Sequence, residues 1–493
     1  MLFYSYYYII FLIVSLFLFY SIKNIKYRNA VLTILSYIFY MSFRIEYGFL
    51  LFFSTIIDYI SAKKIHNENN AAKRKKYLLT SITLNLGLLF TFKYFLFFVK
   101  DYFYGNLLFL SKIPDYWFIL PIGISFYTFQ TMGYTIDVYK KRILPEKSFI
   151  DFSLFVSFFP QLVAGPIERA SRILPQLKEK NLFNIDNAVF GIKRILIGFF
   201  KKIVIANSMV FFVNAIFDNI YQFSGWRLIV ATCFFSNQVY NDFSGYADIA
   251  VGSAKLFNIK VIENFRFPMF SRSITDFFSR WHISLTNWFK TYLFPVLSPR
   301  GSSKLRMLVS VSVILILSGI WHGAKLSYIL WGILFSIFFI LSAITTELKK
   351  RFIFFFRFGK KLKFIIDIIT TNILLIFASG FFRANTPEEA IYLAINCWNE
   401  FFNGLYYLIT NGLQSFFIKY IKIDNFTYEN FQILIFLSII TPIFHLWLSK
   451  EIKLTWLNPK IKHFLENILY TILFFTIIIF SIFSPVDFIY FRF

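Results

Sequence analysis

Residues 307–344 read MLVSVSVILILSGIWHGAKLSYILWGILFSIFFILSAI. Across these 38 residues only His322 and Lys325 can carry a charge near neutral pH. One unbroken helix of that length would reach about 57 Å, nearly twice the roughly 30 Å of bilayer hydrocarbon. The run therefore predicts two apolar helices with a break. Gly319-Ile-Trp-His-Gly323 is the place for it, because two glycines permit close backbone approach or a turn. A long apolar run with a histidine at its break sets the fold class: an all-α, polytopic integral membrane protein.

The rest of the chain agrees. Of 493 residues 57% are hydrophobic and 16% charged, and mean hydropathy is +0.61. Soluble domains carry about 25% charged residues, so an ordinary soluble enzyme, a disordered chain and a collagen-like fibre are excluded. Further apolar runs occupy residues 1–20, 29–42, 47–62, 77–99, 117–135, 188–213, 228–251, 364–382, 433–448 and 464–483. With the two halves of 307–344 the expected number of transmembrane helices is about twelve, with re-entrant and interfacial helices beside them. The first run lacks a basic leader and a small-residue cleavage site and reads as a retained span. A single membrane domain over 1–493 is expected, with N-terminal spans in 1–115, a central part in 116–345 and C-terminal spans in 346–493.

Lysine and arginine number 51 against 26 acidic residues, a net charge of +25. The basic residues cluster at 63–76, 140–142 and 349–363, between apolar runs. Alternating spans put all three clusters on one face, which the positive-inside rule makes cytoplasmic. Both termini and the segment near 384–431 then lie outside. The charge reflects topology and contact with anionic membrane lipids, and no nucleic-acid partner is expected. Cys233 and Cys397 lie far apart, with neither metal-ligand nor disulfide-framework spacing. No metal site is expected.

A charge at the bilayer centre costs about 2.5–3.5 kcal/mol on insertion scales, so ionisable residues inside apolar runs mark packed polar contacts or sites. The candidates are Asp58, Asp137, Asp242, Asp248, His282 and His322. His322 reads either as a general base held away from water or as a helix-to-helix hydrogen bond. His282 falls on the border of a segment, 274–292, whose apolar residues share one helical face, predicting one amphipathic helix in the interface or lining a funnel. Asp276 and Arg280 are an i,i+4 pair on its polar face. Asp242 and Asp248, six residues apart, read as an acid/base couple or as parts of a structural polar network. The stretch 159–169 holds two prolines, a glycine and Glu168-Arg169, as in a re-entrant segment where Arg169 meets a phosphate. No Walker loop, dinucleotide fingerprint, nucleophile elbow or His-Glu-x-x-His motif is present.

Taken together these pieces resemble the membrane-bound O-acyltransferase family, and within it the bacterial alginate O-acetyltransferase branch. The resemblance rests on Arg280-Trp-His-Ile-Ser-Leu285 followed by Trp321-His-Gly323. It also rests on Pro121-Ile-Gly-Ile-Ser-Phe-Tyr-Thr-Phe-Gln130, the 159–169 stretch, Asp242-Phe-Ser-Gly-Tyr-Ala-Asp248, Glu263-Asn-Phe265 and the terminal Phe488-Ile-Tyr-Phe-Arg-Phe493. Matches run from Asp58 to the last residue. Three positions depart from the branch: Thr291 and Asn207, where it usually has Asp, and 297–301, where it usually has a Gly-Gly turn. They bear on the cytoplasmic entrance and on alginate as substrate.

The resemblance implies a tunnel through the membrane domain. It implies an acetyl group taken from acetyl-coenzyme A, a substrate and not a permanently bound cofactor, and delivered to a polysaccharide or peptidoglycan acceptor. It further implies an extracytoplasmic partner of the SGNH-esterase type and residence in the bacterial cytoplasmic (inner) membrane. In this reading His322 is the general base and His282 a supporting catalytic residue. Arg169, Arg280 and Lys290 contact the donor phosphates, and Tyr490 is a candidate acyl relay. The alternative is a polysaccharide or lipid-intermediate transporter without acyl chemistry.

Overall fold

The apolar run that begins the argument folds as two helices, Lys304–His322 and Leu326–Phe355, joined through Gly323-Ala324-Lys325. The first starts at Ser303, whose side chain accepts the Arg306 amide. It stops at His322, where the Gly323 amide bonds back to the Ile320 carbonyl at 3.1 Å. The two helices run antiparallel. Gly319 faces Tyr328, Gly332 faces Ile316, and the Ser336 hydroxyl donates to the Ser312 carbonyl at 3.1 Å. A methyl at Gly332 would lie 2.8 Å from the Ile316 Cα, and one at Gly319 would collide with the Tyr328 carbonyl. Small residues are needed here because the backbones touch.

The structure, a computed structural model, describes residues 1–95, 120–163, 165–355, 360–448 and 459–481. Every regular element among them is helical. Seven described helices are long and apolar enough to cross a membrane: Ile45–Asn67, Ala71–Phe95, Ile185–Phe217, Lys304–His322, Leu326–Thr345, Leu362–Arg383 and Phe464–Ser481. Tyr6–Ser21 is a shorter apolar helix. The expected runs at 29–42, 117–135, 228–251 and 433–448 correspond to helices Ile25–Met41, Ile124–Tyr139, Trp226–Leu256 and Tyr428–Leu448, which stand outside that set. Ile124–Tyr139 starts at Gly123, in the left-handed region at φ 79°, and is buried on almost every face. It is an interior helix, not a lipid-facing one. Residues 117–119, 356–359 and 488–493, Tyr490 among them, lie outside the described residues.

The basic cluster at 63–76 sits on a helical hairpin. Lys63 and Lys64 end helix Ile45–Asn67, and Lys73 to Lys76 begin the next helix after Asn70, which accepts the Ala72 and Lys73 amides at 2.9 and 3.1 Å.

The amphipathic segment departs from its expected form. It is two short helices, Ile274–Arg280 and Ile283–Trp288, and not one. The break is at Trp281, extended, and His282, left-handed at φ 42° and ψ 53°. The heptad-like pattern is real on both sides; a helical wheel cannot register a single residue that reverses its φ.

Chain contacts divide the protein into two compact units. The first comprises 1–199, 246–264 and 282–296; the second comprises 200–245, 265–281 and 297–493.

Candidate functional site

In the second unit His322 is the last residue of its helix and is 4% exposed. Aromatic rings fix it. Trp321 and Phe382 lie with centroids 5.0 Å away, Trp331 at 5.6 Å and Tyr328 at 6.5 Å, all near edge-to-face. The end of the hairpin is tied down from Leu362–Arg383: the Ser327 hydroxyl donates to the Ala384 carbonyl at 2.8 Å and the Lys325 ammonium to the Asn385 Oδ1 at 3.0 Å. Arg383 closes that corner through Asp218, at 2.7 Å.

His322 lines a cavity of 340 Å³. Its walls are mostly apolar, with Phe277, Trp281, Trp331 and Phe382 among them, and Asn237, Asn372 and Ser379 interrupt them. The Asn372 amide donates to the Met269 and Ile368 carbonyls, each at 2.8 Å. The cavity is an apolar chamber with an imidazole in its wall.

His282 belongs to the first unit and is 2% exposed, so protein encloses its ring. Its ring stacks on Phe126 at 6.0 Å and 20°. The residues after it are docked on Asn264: the Ile283 amide bonds to the Asn264 carbonyl at 2.9 Å, and the Ser284 amide and hydroxyl to its Oδ1 at 3.1 and 2.9 Å. A left-handed non-glycine residue costs about 1–2 kcal/mol. The surrounding bonds hold it in place, a pattern found where a side chain must be aimed.

A second cavity, of 200 Å³, lies in the first unit. Arg169 and Glu168 line it from one side and Trp288 and Tyr292 from the other. Arg169 donates to the Thr291 hydroxyl and lies 5.7 Å over the Tyr292 ring. The Trp288 indole donates to the Phe129 carbonyl at 2.8 Å and stacks on that ring at 4.2 Å. Tyr292 donates to Asp137 at 2.7 Å, and Arg142 pairs with the same carboxylate at 3.0 Å. Burial pushes the Glu168 carboxyl up to about 7, against the opposing pull of the Ile262 amide and of Arg172 and Arg169. Lys290 is exposed in the π-helical turn Phe289–Leu293. Arg280 belongs to the second unit and is engaged by Asp276 at 2.7 Å, as its spacing predicts. Burial alone would raise the Asp276 carboxyl, but its hydrogen bonds to Arg280 and to the Arg272 amide hold it below its ordinary value.

The remaining buried carboxylates are structural. Asp242 pairs with Lys202 at 2.7 Å, both about fully buried, while Asp248 and Glu263 grip Arg194, each at 2.7 Å. The acid/base-couple reading of Asp242 and Asp248 therefore gives way to the network reading. Asp58 accepts from Ser81, from Asn85 at 2.9 Å and from Thr135 at 3.1 Å. Sequence reasoning did not single out Phe382, Trp331, Phe126, Asn264 or Arg172, and it noted Glu168 only as a neighbour of Arg169. Asn264 and Phe126 were visible inside quoted motifs; Trp331 reaches His322 across the hairpin turn and Phe382 from helix Leu362–Arg383, contacts that no local pattern encodes.

Residues 141–383, which contain both histidines, match the profile of MBOAT, the membrane-bound O-acyltransferase family. The chain is 33% identical over 398 residues to the "Peptidoglycan O-acetyltransferase" of Helicobacter pylori, spanning 75% of this chain and 73% of that protein. It is 34% identical over 327 residues to the "Probable alginate O-acetylase AlgI" of Pseudomonas aeruginosa, spanning 64% and 60%. It is 30% identical over 301 residues to the "Teichoic acid D-alanyltransferase" of Bacillus subtilis, spanning 55% and 71%. A helical, multi-pass chain with this extent of similarity belongs to the membrane-bound O-acyltransferase family and is a membrane O-acyltransferase.

Proposed function

We propose that the protein moves an acetyl group from cytoplasmic acetyl-coenzyme A across the bacterial inner membrane, for O-acetylation of a cell-envelope polysaccharide or peptidoglycan. The observation that carries the reading is His322: an imidazole at the end of a membrane helix, in the wall of a 340 Å³ apolar chamber. The names of the relatives support an envelope polymer as acceptor and acetyl as the acyl group.

The acceptor hydroxyl is a weak nucleophile until a base takes its proton. His322 removes that proton as the hydroxyl oxygen attacks the thioester carbonyl. The tetrahedral intermediate collapses with cleavage of the C–S bond, and the imidazolium returns the proton to the departing thiolate. Oxygen gains the acetyl group and coenzyme A leaves as the thiol. His282, aimed by its backbone and by Phe126, supports the thioester. Arg169, Lys290 and Arg280 contact the donor phosphates; Arg280 does so least, because Asp276 already engages it. In this reading the hydroxyl acetylated at His322 belongs to a carrier, and an extracytoplasmic SGNH-type partner passes the acetyl group from that ester to a polymer hydroxyl, releasing the carrier hydroxyl.

The test uses membranes holding the full chain and its partner, with labelled acetyl-coenzyme A as donor. His322→Ala is expected to lose about 10²–10⁴-fold in transfer while keeping its thermal stability and partner binding. Unchanged transfer by that variant would overturn the assignment.

A further inference from the structure

Two of the basic clusters meet in the first unit, on a surface that the reaction above does not use. Helices Ile45–Asn67 and Ala71–Phe95 form a hairpin, and both are long and apolar enough to cross a membrane. Around its turn stand Lys63, Lys64 and Lys73 to Lys76, and the Arg74 guanidinium donates to the Tyr139 carbonyl at 2.9 Å. Lys140, Lys141 and Arg142 follow Tyr139 directly, so basic residues far apart in sequence share this end of the hairpin.

A recess of 310 Å³ opens there, lined by Ile60, Lys63, Lys64, Asn67, Glu68 and Tyr77. The first four stand at i, i+3, i+4 and i+7, on one face of their helix. Back along that face come Ile56 and Phe53, and both Phe53 and Ile60 are exposed. From Phe53 to Asn67 the stripe runs about 21 Å and passes from apolar through cationic to neutral polar. A phospholipid presents the complementary order: acyl chain, phosphate, headgroup. Lys63 lies 4.3 Å over the Tyr59 ring and Lys64 5.6 Å over the Tyr77 ring, and neither ammonium has an acidic partner among the described residues. Contact with a ring face leaves ammonium hydrogens for an anion. Glu68 accepts the Asn70 amide at 3.0 Å through Oε1, which leaves its Oε2 and the Asn67 amide for hydroxyl groups.

We propose that this recess binds an anionic phospholipid with a polyol headgroup, of the phosphatidylglycerol class. Its phosphate sits between Lys63 and Lys64, a headgroup hydroxyl donates to Glu68, and an acyl chain runs along Ile60 and Phe53. A free phosphate would answer the lysines and leave the apolar part of the stripe uncovered. A choline headgroup would set a further cation against the lysines and has no hydroxyl to donate to Glu68. The basic residues at 73–76 and 140–142 strengthen the local attraction for any anion but do not line the recess.

The test titrates the full chain in detergent with phosphatidylglycerol, phosphatidylethanolamine, phosphatidylcholine and glycerophosphoglycerol, and reads the bound species by native mass spectrometry. Wild type is expected to bind phosphatidylglycerol about tenfold more tightly than phosphatidylcholine, the combined effect of two lysines at a membrane surface. Lys63→Gln with Lys64→Gln is expected to bring that ratio close to one. Lys75→Gln with Lys76→Gln removes the same charge from the same turn, outside the recess, and is expected to keep most of the preference. Lys64→Gln alone serves should the first pair fail to fold; it is expected to lower the ratio about threefold, and an unchanged ratio there would count against the site. A ratio near one in wild type would overturn the proposal without any variant. Equal losses in the two double variants would overturn it as well, by assigning the preference to diffuse charge. Phosphatidylethanolamine bound as tightly as phosphatidylglycerol would remove the anionic assignment. Glycerophosphoglycerol, which has no acyl chains, is expected to bind far more weakly; equal affinity would assign the recess to a soluble phosphodiester and overturn the lipid.

Discussion

The imidazole of His322 meets the ring of Phe382 edge to face, 5.0 Å between centroids at 87°. Aromatic packing, with Trp331 on a second side at 5.6 Å, sets where the ring stands in the chamber wall. Phe382→Leu keeps the apolar volume and removes the flat edge. It is expected to lower kcat about tenfold with little change in KM, because misplacing a base weakens the transition state more than binding. Steady-state kinetics on the purified variant checks this; a KM effect alone would count against a positioning role.

Gly319 is where the hairpin closes. A side chain there must displace the Tyr328 carbonyl, and overpacking of this kind costs about 1–3 kcal/mol. Gly319→Ala is expected to lower the unfolding temperature in detergent and to reduce transfer in proportion to the folded fraction. Gly319→Leu should be worse on both counts.

His282 separates strain from function. Glycine accepts φ 42° freely, and alanine does not. His282→Gly is therefore expected to be more stable than His282→Ala by about 1 kcal/mol, while both lose most of their transfer activity. Equal thermal stabilities for the two variants would remove the strain argument.

Lys202 and Asp242 form a buried pair. Lys202→Met leaves a carboxylate buried without its cation and is expected to cost about 3–5 kcal/mol. Adding Asp242→Leu should restore much of that loss. A double-mutant cycle on chemical unfolding measures the coupling.

Among the basic residues proposed for the donor phosphates, Arg169→Ala is expected to raise KM for acetyl-coenzyme A several-fold, by roughly the worth of one charge-assisted hydrogen bond. Arg280→Ala should change KM less, since Arg280 is engaged by Asp276. The reverse order in measured KM would exchange their roles.

The hairpin and the position of its turn were legible because length and hydropathy are one-dimensional quantities. The Asp276–Arg280 pair was legible for the same reason: it depends on helical spacing alone. The reversal at His282 was not, since the amphipathic pattern continues through it and only the tertiary contacts of Asn264 and Phe126 hold that backbone. The interior helix Ile124–Tyr139 also misled, because apolar content does not distinguish lipid from protein as surroundings. Glu168 was visible as a letter, but its burial and its bond from the Ile262 amide exist only in the folded chain.

The Lys202–Asp242 pair also bears on how the chain is made. Lys201 and Lys202 lie in the apolar helix Ile185–Phe217, and the carboxylate that neutralises Lys202 is supplied by the following long helix, Trp226–Leu256. A ribosome delivers the cation first. Until residue 242 emerges, the helix carries charge that hydrocarbon repels, so these two segments are expected to enter the bilayer as a couple, the earlier one waiting in the insertion machinery for its counter-ion.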